Sequence, residues 1–175
     1  MIIVLEGFDN AGKSTLAKQL KEHYDGEIII PGGKPKNFIA AVTQCISQSS
    51  IIDSFKDKPN VYIFDRLTCI SEAVYGIFDN EKLISIFLEY LFEDVKKCKI
   101  IHCRPNDDTL LDFSNHTVES HDTDEGIEFA KFHATQLIAA YDALFQTVKG
   151  DNITQYDYKN DKLEDLISWI DSQND

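Results

Sequence analysis

An apolar run, Met1–Glu6, leads directly into Gly7-Phe8-Asp9-Asn10-Ala11-Gly12-Lys13-Ser14, a complete GxxxxGK[ST]. No other stretch constrains the fold as strongly, because the motif has meaning only between a strand and a helix. The run before it reads as a strand buried on both faces. After it, Leu16, Ala17, Leu20 and Tyr24 recur at helical spacing. The residue types follow from the chemistry of a bound polyphosphate. Glycines accept positive φ and let backbone N–H groups approach phosphate oxygens, and a helix N-terminus adds partial positive charge. Lys13 supplies an ammonium for the β- and γ-phosphates, and Ser14 a hydroxyl for Mg²⁺. Gly7, Phe8, Asp9, Asn10, Ala11, Gly12, Lys13, Ser14 and Thr15 are therefore expected to cradle the triphosphate of ATP.

The rest of the chain alternates in the same way. Strands are expected at Met1–Glu6, Glu27–Ile30, Asn60–Asp65, Cys98–Cys103 and Asn152–Tyr156. Helices are expected at Lys13–Tyr24 with Gly26 as C-cap, Lys36–Ser50, Cys69–Phe78, Glu81–Lys97 capped by Asn80, a short turn through Phe113, Ile127–Val148 and Asp161–Ile170. Ser114–Gly126 is polar and acidic and reads as a loop. Alternation with buried strands implies a three-layer α/β fold of the P-loop NTPase kind. It would have a mostly parallel five-stranded sheet, helices on both faces, and a single domain over residues 1–175.

Charge narrows the partners. With 30 acidic and 17 basic residues, the net charge of −13 disfavours a nucleic acid, whose binding rests on lysine and arginine neutralising phosphates. A small anionic substrate remains compatible if cations are concentrated locally. No apolar run reaches the roughly 18 residues of a membrane span, and MIIVLE at the start leaves no room for a signal peptide. Cys45, Cys69, Cys98 and Cys103 lack CxxC spacing and suit a reducing, cytoplasmic setting.

The two arginines both follow apolar runs. Asp65, closing Val61-Tyr62-Ile63-Phe64, is a candidate Mg²⁺ ligand at the sheet edge where the Gly7–Ser14 loop lies. Arg66 can grip a phosphate with two parallel hydrogen bonds. Arg104, at the end of the fourth strand, is either a second catalytic cation or a structural ion-pair partner.

These residues resemble the thymidylate kinase-like family of nucleoside monophosphate kinases. Glu6–Thr15 looks like that family's EGxDxxGKST loop, Pro31-Gly32-Gly33-Lys34-Pro35 is similar to its PGGTP, and Asp65-Arg66 with Ala73 and Gly76 is similar to its DR…A…G segment. The resemblance implies ATP-dependent phosphorylation of a nucleoside monophosphate. Asp9 would lie near the acceptor phosphate and Mg²⁺, and Arg66 would hold the acceptor's monophosphate. Ser114–Gly126 would act as a lid, Lys159-Asn160-Asp161 would touch adenine, and the protein would form a homodimer. The sequence also departs from the family. Asn10 stands where a catalytic arginine is common, and the lid carries neither arginine nor lysine, which leaves His116, His121, Lys131 and His133 as nearby cations. Ile29 and Ile30 replace an Arg-Glu pair, and the stretch from Gly33 to Asp65 is short. Phe38 and Gln44 are the candidates for stacking on and hydrogen bonding to the acceptor base. A deoxynucleoside kinase is the alternative, although it calls for a carboxylate base after the second strand. A nucleotide switch is a third reading; the NKxD of a GTPase is absent, and the nearest string is Lys149-Gly150-Asp151-Asn152.

Overall fold

The computed structural model describes residues 1–30, 32–76, 81–113 and 124–172. Five strands, β1 (Ile2–Glu6), β2 (Glu27–Ile29), β3 (Tyr62–Asp65), β4 (Lys99–Cys103) and β5 (Ile153–Tyr156), form one sheet in the order β2-β3-β1-β4-β5. Every pairing is parallel. All five residues of β1 and all five of β4 are buried, as expected for interior strands of a parallel sheet covered on both faces, and the burial includes the polar Glu6, Lys99 and His102.

The helices are α1 (Lys13–Tyr24), α2 (Phe38–Phe55), α3 (Thr68–Tyr75), α4 (Glu81–Val95), α5 (Asp107–Leu110), α6 (Asp124–Phe132), α7 (Ala134–Thr147) and α8 (Leu163–Ser172). They gather in two groups around the sheet. One joins α1 to α8, where Tyr24 Oη donates to Asp171 at 3.0 Å. In the other, α3 packs against α2, α4 and α7. Leu16, Ala17 and Leu20, the positions picked out by periodicity, form the buried face of α1. Among the described residues no helix is long and apolar enough to cross a membrane.

Several boundaries differ from the sequence-based expectation, each for a local reason. Helix α1 is closed by Asp25 in the left-handed conformation (φ 49°), with Gly26 following it. Helix α2 starts two residues late because Asn37 caps it, its side chain accepting from the Ala40 N–H at 2.9 Å. It then runs on to Phe55, because the hydroxyls of Thr43, Ser47, Ser50 and Ser54 donate to carbonyls four residues back and stay within the helix. The long helix expected over Ile127–Val148 is two, α6 and α7, broken at His133. Apolar positions keep helical spacing across that break, so periodicity could not reveal it. Asp124–Gly126, expected as loop, already belong to α6, whereas Ser114–Thr123, with His116 and His121, lie outside the described residues, as does the Asn80 cap.

Candidate active site

The C-terminal ends of β1, β3 and β4 converge on the glycine-rich loop. Gly7 has φ 141°, and a Cβ there would stand 2.4 Å from the Cys103 carbonyl oxygen, so the loop can run this close to β4 only with glycine. Gly12 has φ 78°, and a Cβ would meet the Tyr158 ring at 2.8 Å. Lys13 is buried, with Nζ donating to the carbonyls of Gly7 at 3.0 Å and Phe8 at 2.8 Å. Burial and the nearby Arg66 charge lower its pKa, partly opposed by Asp9 and Asp65. Phe8 and Ala11 turn into the core. Asn10, with φ 64°, donates from Nδ2 to the Asp112 carbonyl at 3.1 Å and ties the loop to the segment after α5. Thr15, in the first turn of α1, is exposed.

Asp65 pairs with Leu5 at the end of β3, and the Ser14 hydroxyl donates to its Oδ2 at 3.3 Å. A hydroxyl and a carboxylate meeting beside the loop make an all-oxygen donor set that fits Mg²⁺, an ion bound through few protein ligands plus phosphate oxygens.

Arg66 occupies the left-handed region at φ 77°. Its backbone N–H donates to the Leu5 carbonyl at 3.0 Å. Its Nη2 donates to Asp9 Oδ1 at 2.5 Å and Nη1 to Tyr141 Oη at 3.2 Å. Burial works against the guanidinium charge, but Tyr141 and Asp9 outweigh it and hold the pKa raised. Tyr75 borders the group, its hydroxyl pushed up to about 12 by burial. Beneath them Glu6 is fully buried, with Oε1 accepting the Leu67 N–H at 2.5 Å. Burial raises its pKa to about 7, against the pull of Arg66.

Asp9, Lys13, Ser14, Asp65 and Arg66 are thus assembled as one polar cluster. Arg104 is engaged elsewhere. Its Nε and Nη2 clamp Asp142 at 2.8 and 2.9 Å, Nη2 also reaches Asp107 at 2.6 Å, and Nη1 donates to the Pro105 carbonyl at 2.7 Å. This is the ion-pair alternative for that residue. Together with His102, Asp142, Gln155 and Asp157 it lines an open cleft of about 830 Å³ to which neither Lys13 nor Arg66 contributes. Phe38 sits edge-on to Phe87 at 6.0 Å, and Gln44 Nε2 donates to the Gly32 carbonyl at 2.6 Å, so both pair outside the Asp9–Arg66 cluster. Lys131 pairs with Glu128 at 3.1 Å, and His133 Nδ1 lies 3.1 Å from Gln136 Oε1. The Lys159-Asn160-Asp161 turn is organised around Asp157: the Lys159 N–H donates to its Oδ1 at 2.9 Å and Asn160 Nδ2 to its Oδ2 at 2.6 Å.

Sequence reasoning missed Glu6, Tyr75, Tyr141 and Tyr158. Glu6 carried a signal, a carboxylate closing an otherwise apolar strand. The tyrosines looked like ordinary core and loop aromatics.

No protein-family model matches the chain, and no curated protein does. Solved structures do. The deoxyadenosine kinase of M. mycoides with the products dCMP and a flexible dCDP bound superposes with a TM-score of 0.69 at 17% identity, over 98% of this chain and 100% of that one. The same enzyme with bound dATP gives 0.63 at 15% identity, covering all of both chains. The YorR protein of Bacillus subtilis in complex with phosphorylated GDP gives 0.62 at 18%, over 98% of this chain and 96% of that one. With its five-stranded parallel sheet and the helices around it, the chain has the P-loop NTPase fold found in nucleoside kinases.

Proposed function

We propose that this protein is a phosphotransferase, residues 1–175 acting as one kinase domain, that moves the γ-phosphoryl group of ATP to a nucleoside monophosphate. The observation that carries this reading is the pairing of two cations of different kinds at one sheet edge, one buried and one half-buried. Lys13 lies inside the glycine-rich loop, and Arg66 is aimed across it by Asp9 and Tyr141. Lys13 and the loop amides bind the donor's triphosphate. Arg66 offers a planar fork suited to the acceptor's monophosphate. Asp9 holds that fork in place before the acceptor arrives. Ser14 and Asp65 would hold Mg²⁺, which when bound neutralises charge on the transferred group. In-line transfer then needs positioning and charge stabilisation rather than a strong base, because the acceptor atom is already a phosphate oxygen.

Phosphorylation of a nucleoside hydroxyl is the second reading. The likeness to deoxyadenosine kinase favours it, and Ile29 and Ile30 at the end of β2, where a base would be sought, count against it. ADP formation measured with ATP·Mg²⁺ and a panel of nucleosides and their monophosphates separates the two. We expect turnover that depends on a monophosphate. Turnover with nucleosides alone moves the assignment to the second reading, and ADP released without any acceptor overturns both in favour of an ATPase or switch.

A further inference from the structure

The conformation of Arg66 is costly: a non-glycine residue with φ 77° is sterically strained, and persists only when its surroundings over-determine it. Three of its restraints are on view. Leu5 takes its N–H, and Asp9 and Tyr141 take its guanidinium. The fourth acts on the next peptide. The Leu67 N–H points into the protein, and its acceptor is Glu6 Oε1 at 2.5 Å, from 61 residues away. Leu67 is also the N-cap position of α3, and its side chain offers no capping oxygen. Helix α3 is therefore capped from outside, by Glu6 at Leu67 and by Gln48 Oε1, which accepts the Thr68 N–H at 2.8 Å. Glu6 is 0% exposed, and its Oε2 has no hydrogen-bond partner among the described residues. Burying a carboxylate half-satisfied is expensive. An apolar residue would serve the core better at this point, unless the carboxylate oxygen is needed where it is.

We infer that Glu6 is a positioning residue: by holding the Leu67 amide it locks the Arg66 corner in its left-handed turn, so that the guanidinium is set on Asp9 and Tyr141 beside the glycine-rich loop before an acceptor binds. Its consequence for catalysis rests on the assignment of Arg66 to the acceptor phosphate; its structural content does not. Glu6 does not meet the reacting atoms. It fixes the last peptide before α3, and through it the direction of the Arg66 side chain.

Two substitutions separate reach from charge. Glu6→Asp keeps the carboxylate but withdraws it by one methylene, and Glu6→Gln keeps the reach and an acceptor oxygen without the charge. Glu6→Met, of similar volume with no acceptor, stands in should Glu6→Asp not fold. Two readouts are taken on each full-length variant: KM for ATP and for the monophosphate acceptor, and the Arg66 Nε–Hε NMR resonance without substrate. We expect Glu6→Asp to raise the acceptor KM about tenfold, as small displacements of a binding group do, with KM for ATP little changed. We also expect the Arg66 resonance to move toward that of a free arginine, and Glu6→Gln to restore both. An Arg66 signal unmoved in Glu6→Asp overturns the inference, as does an equal rise in both KM values or a Glu6→Gln variant as impaired as Glu6→Asp. Fast solvent exchange of the Leu67 amide in the unsubstituted protein overturns it without any variant. If Arg66→Met leaves the acceptor KM unchanged, the functional assignment fails, and the Arg66 resonance still decides whether Glu6 positions it.

Discussion

Lys13 is a short-range cation under strain. It is buried, its charge is disfavoured by burial and by Arg66, and two loop carbonyls from Gly7 and Phe8 are its hydrogen-bond acceptors. Phosphate oxygens are stronger acceptors than carbonyls and bring compensating charge. Lys13→Ala is therefore expected to cut turnover by a factor of about 100 or more, as loss of one preorganised electrostatic group does, and to weaken triphosphate binding in a direct titration. His102 makes a separate prediction. It is stacked at 4.4 Å on Phe145, and burial lowers its pKa from 6.5 to about 4. The folded protein thus takes up its proton later than the unfolded chain does. Its contribution to stability is complete above pH 6.5 and drains away as pH falls toward 4. His102→Phe, which keeps a stacking ring and cannot titrate, is expected to lose less stability between pH 7 and pH 4 than the unsubstituted protein in matched urea melts.

At the scale of elements, the helix starts differ in how they are capped. Helix α2 has its own cap in Asn37, so Asn37→Ala is expected to cost about 1 kcal/mol by denaturant unfolding with the m-value unchanged. Helix α1 begins at Gly12 in the left-handed conformation, with no side-chain cap. Its first amides are left facing the loop that the motif reserves for an anion. Helix α3 borrows its caps from β1 and α2. The elements were largely legible because strands with both faces buried carry continuous apolar stretches, Ile2–Leu5 in β1 and Ile100-Ile101 in β4. Boundaries were less so. Asn37 is a cap signal that a reading based on periodicity overran, and the serines of α2 look like a helix end until their hydroxyls are seen bonding back along the helix.

For the whole molecule, the order β2-β3-β1-β4-β5 sets β1 between β3 and β4, so that one sheet edge presents the ends of all three strands together. A ligand bound there clamps the glycine-rich loop to β3 and β4 and stabilises the folded state by mass action. ATP·Mg²⁺ at 100 times its dissociation constant is expected to add about 2.7 kcal/mol of stability, read as a rise in melting temperature. Chelating the metal with EDTA is expected to reduce that rise, because the ion that Ser14 and Asp65 would hold is then withdrawn from the site. An unchanged melting temperature with saturating ATP·Mg²⁺ would contradict the assignment of the loop.

The residues that determine their own conformation locally were readable from the chain alone. Gly7 and Gly12 carry positive φ, Lys13 bonds carbonyls five and six residues back, and the buried strands announce themselves by composition, so the loop and the parallel sheet could be read before their distant contacts were known. Tertiary structure decided everything that depends on which strand ends meet. It set Arg66 on Asp9 and Tyr141 while Arg104 went to Asp142 and Asp107, although both arginines follow a strand in the same way. It also turned Glu6 from the last residue of a strand into the support of a corner 61 residues away. Such pairings are set by sheet order and helix packing, and hydrogen bonds across that separation leave no periodic trace in the sequence.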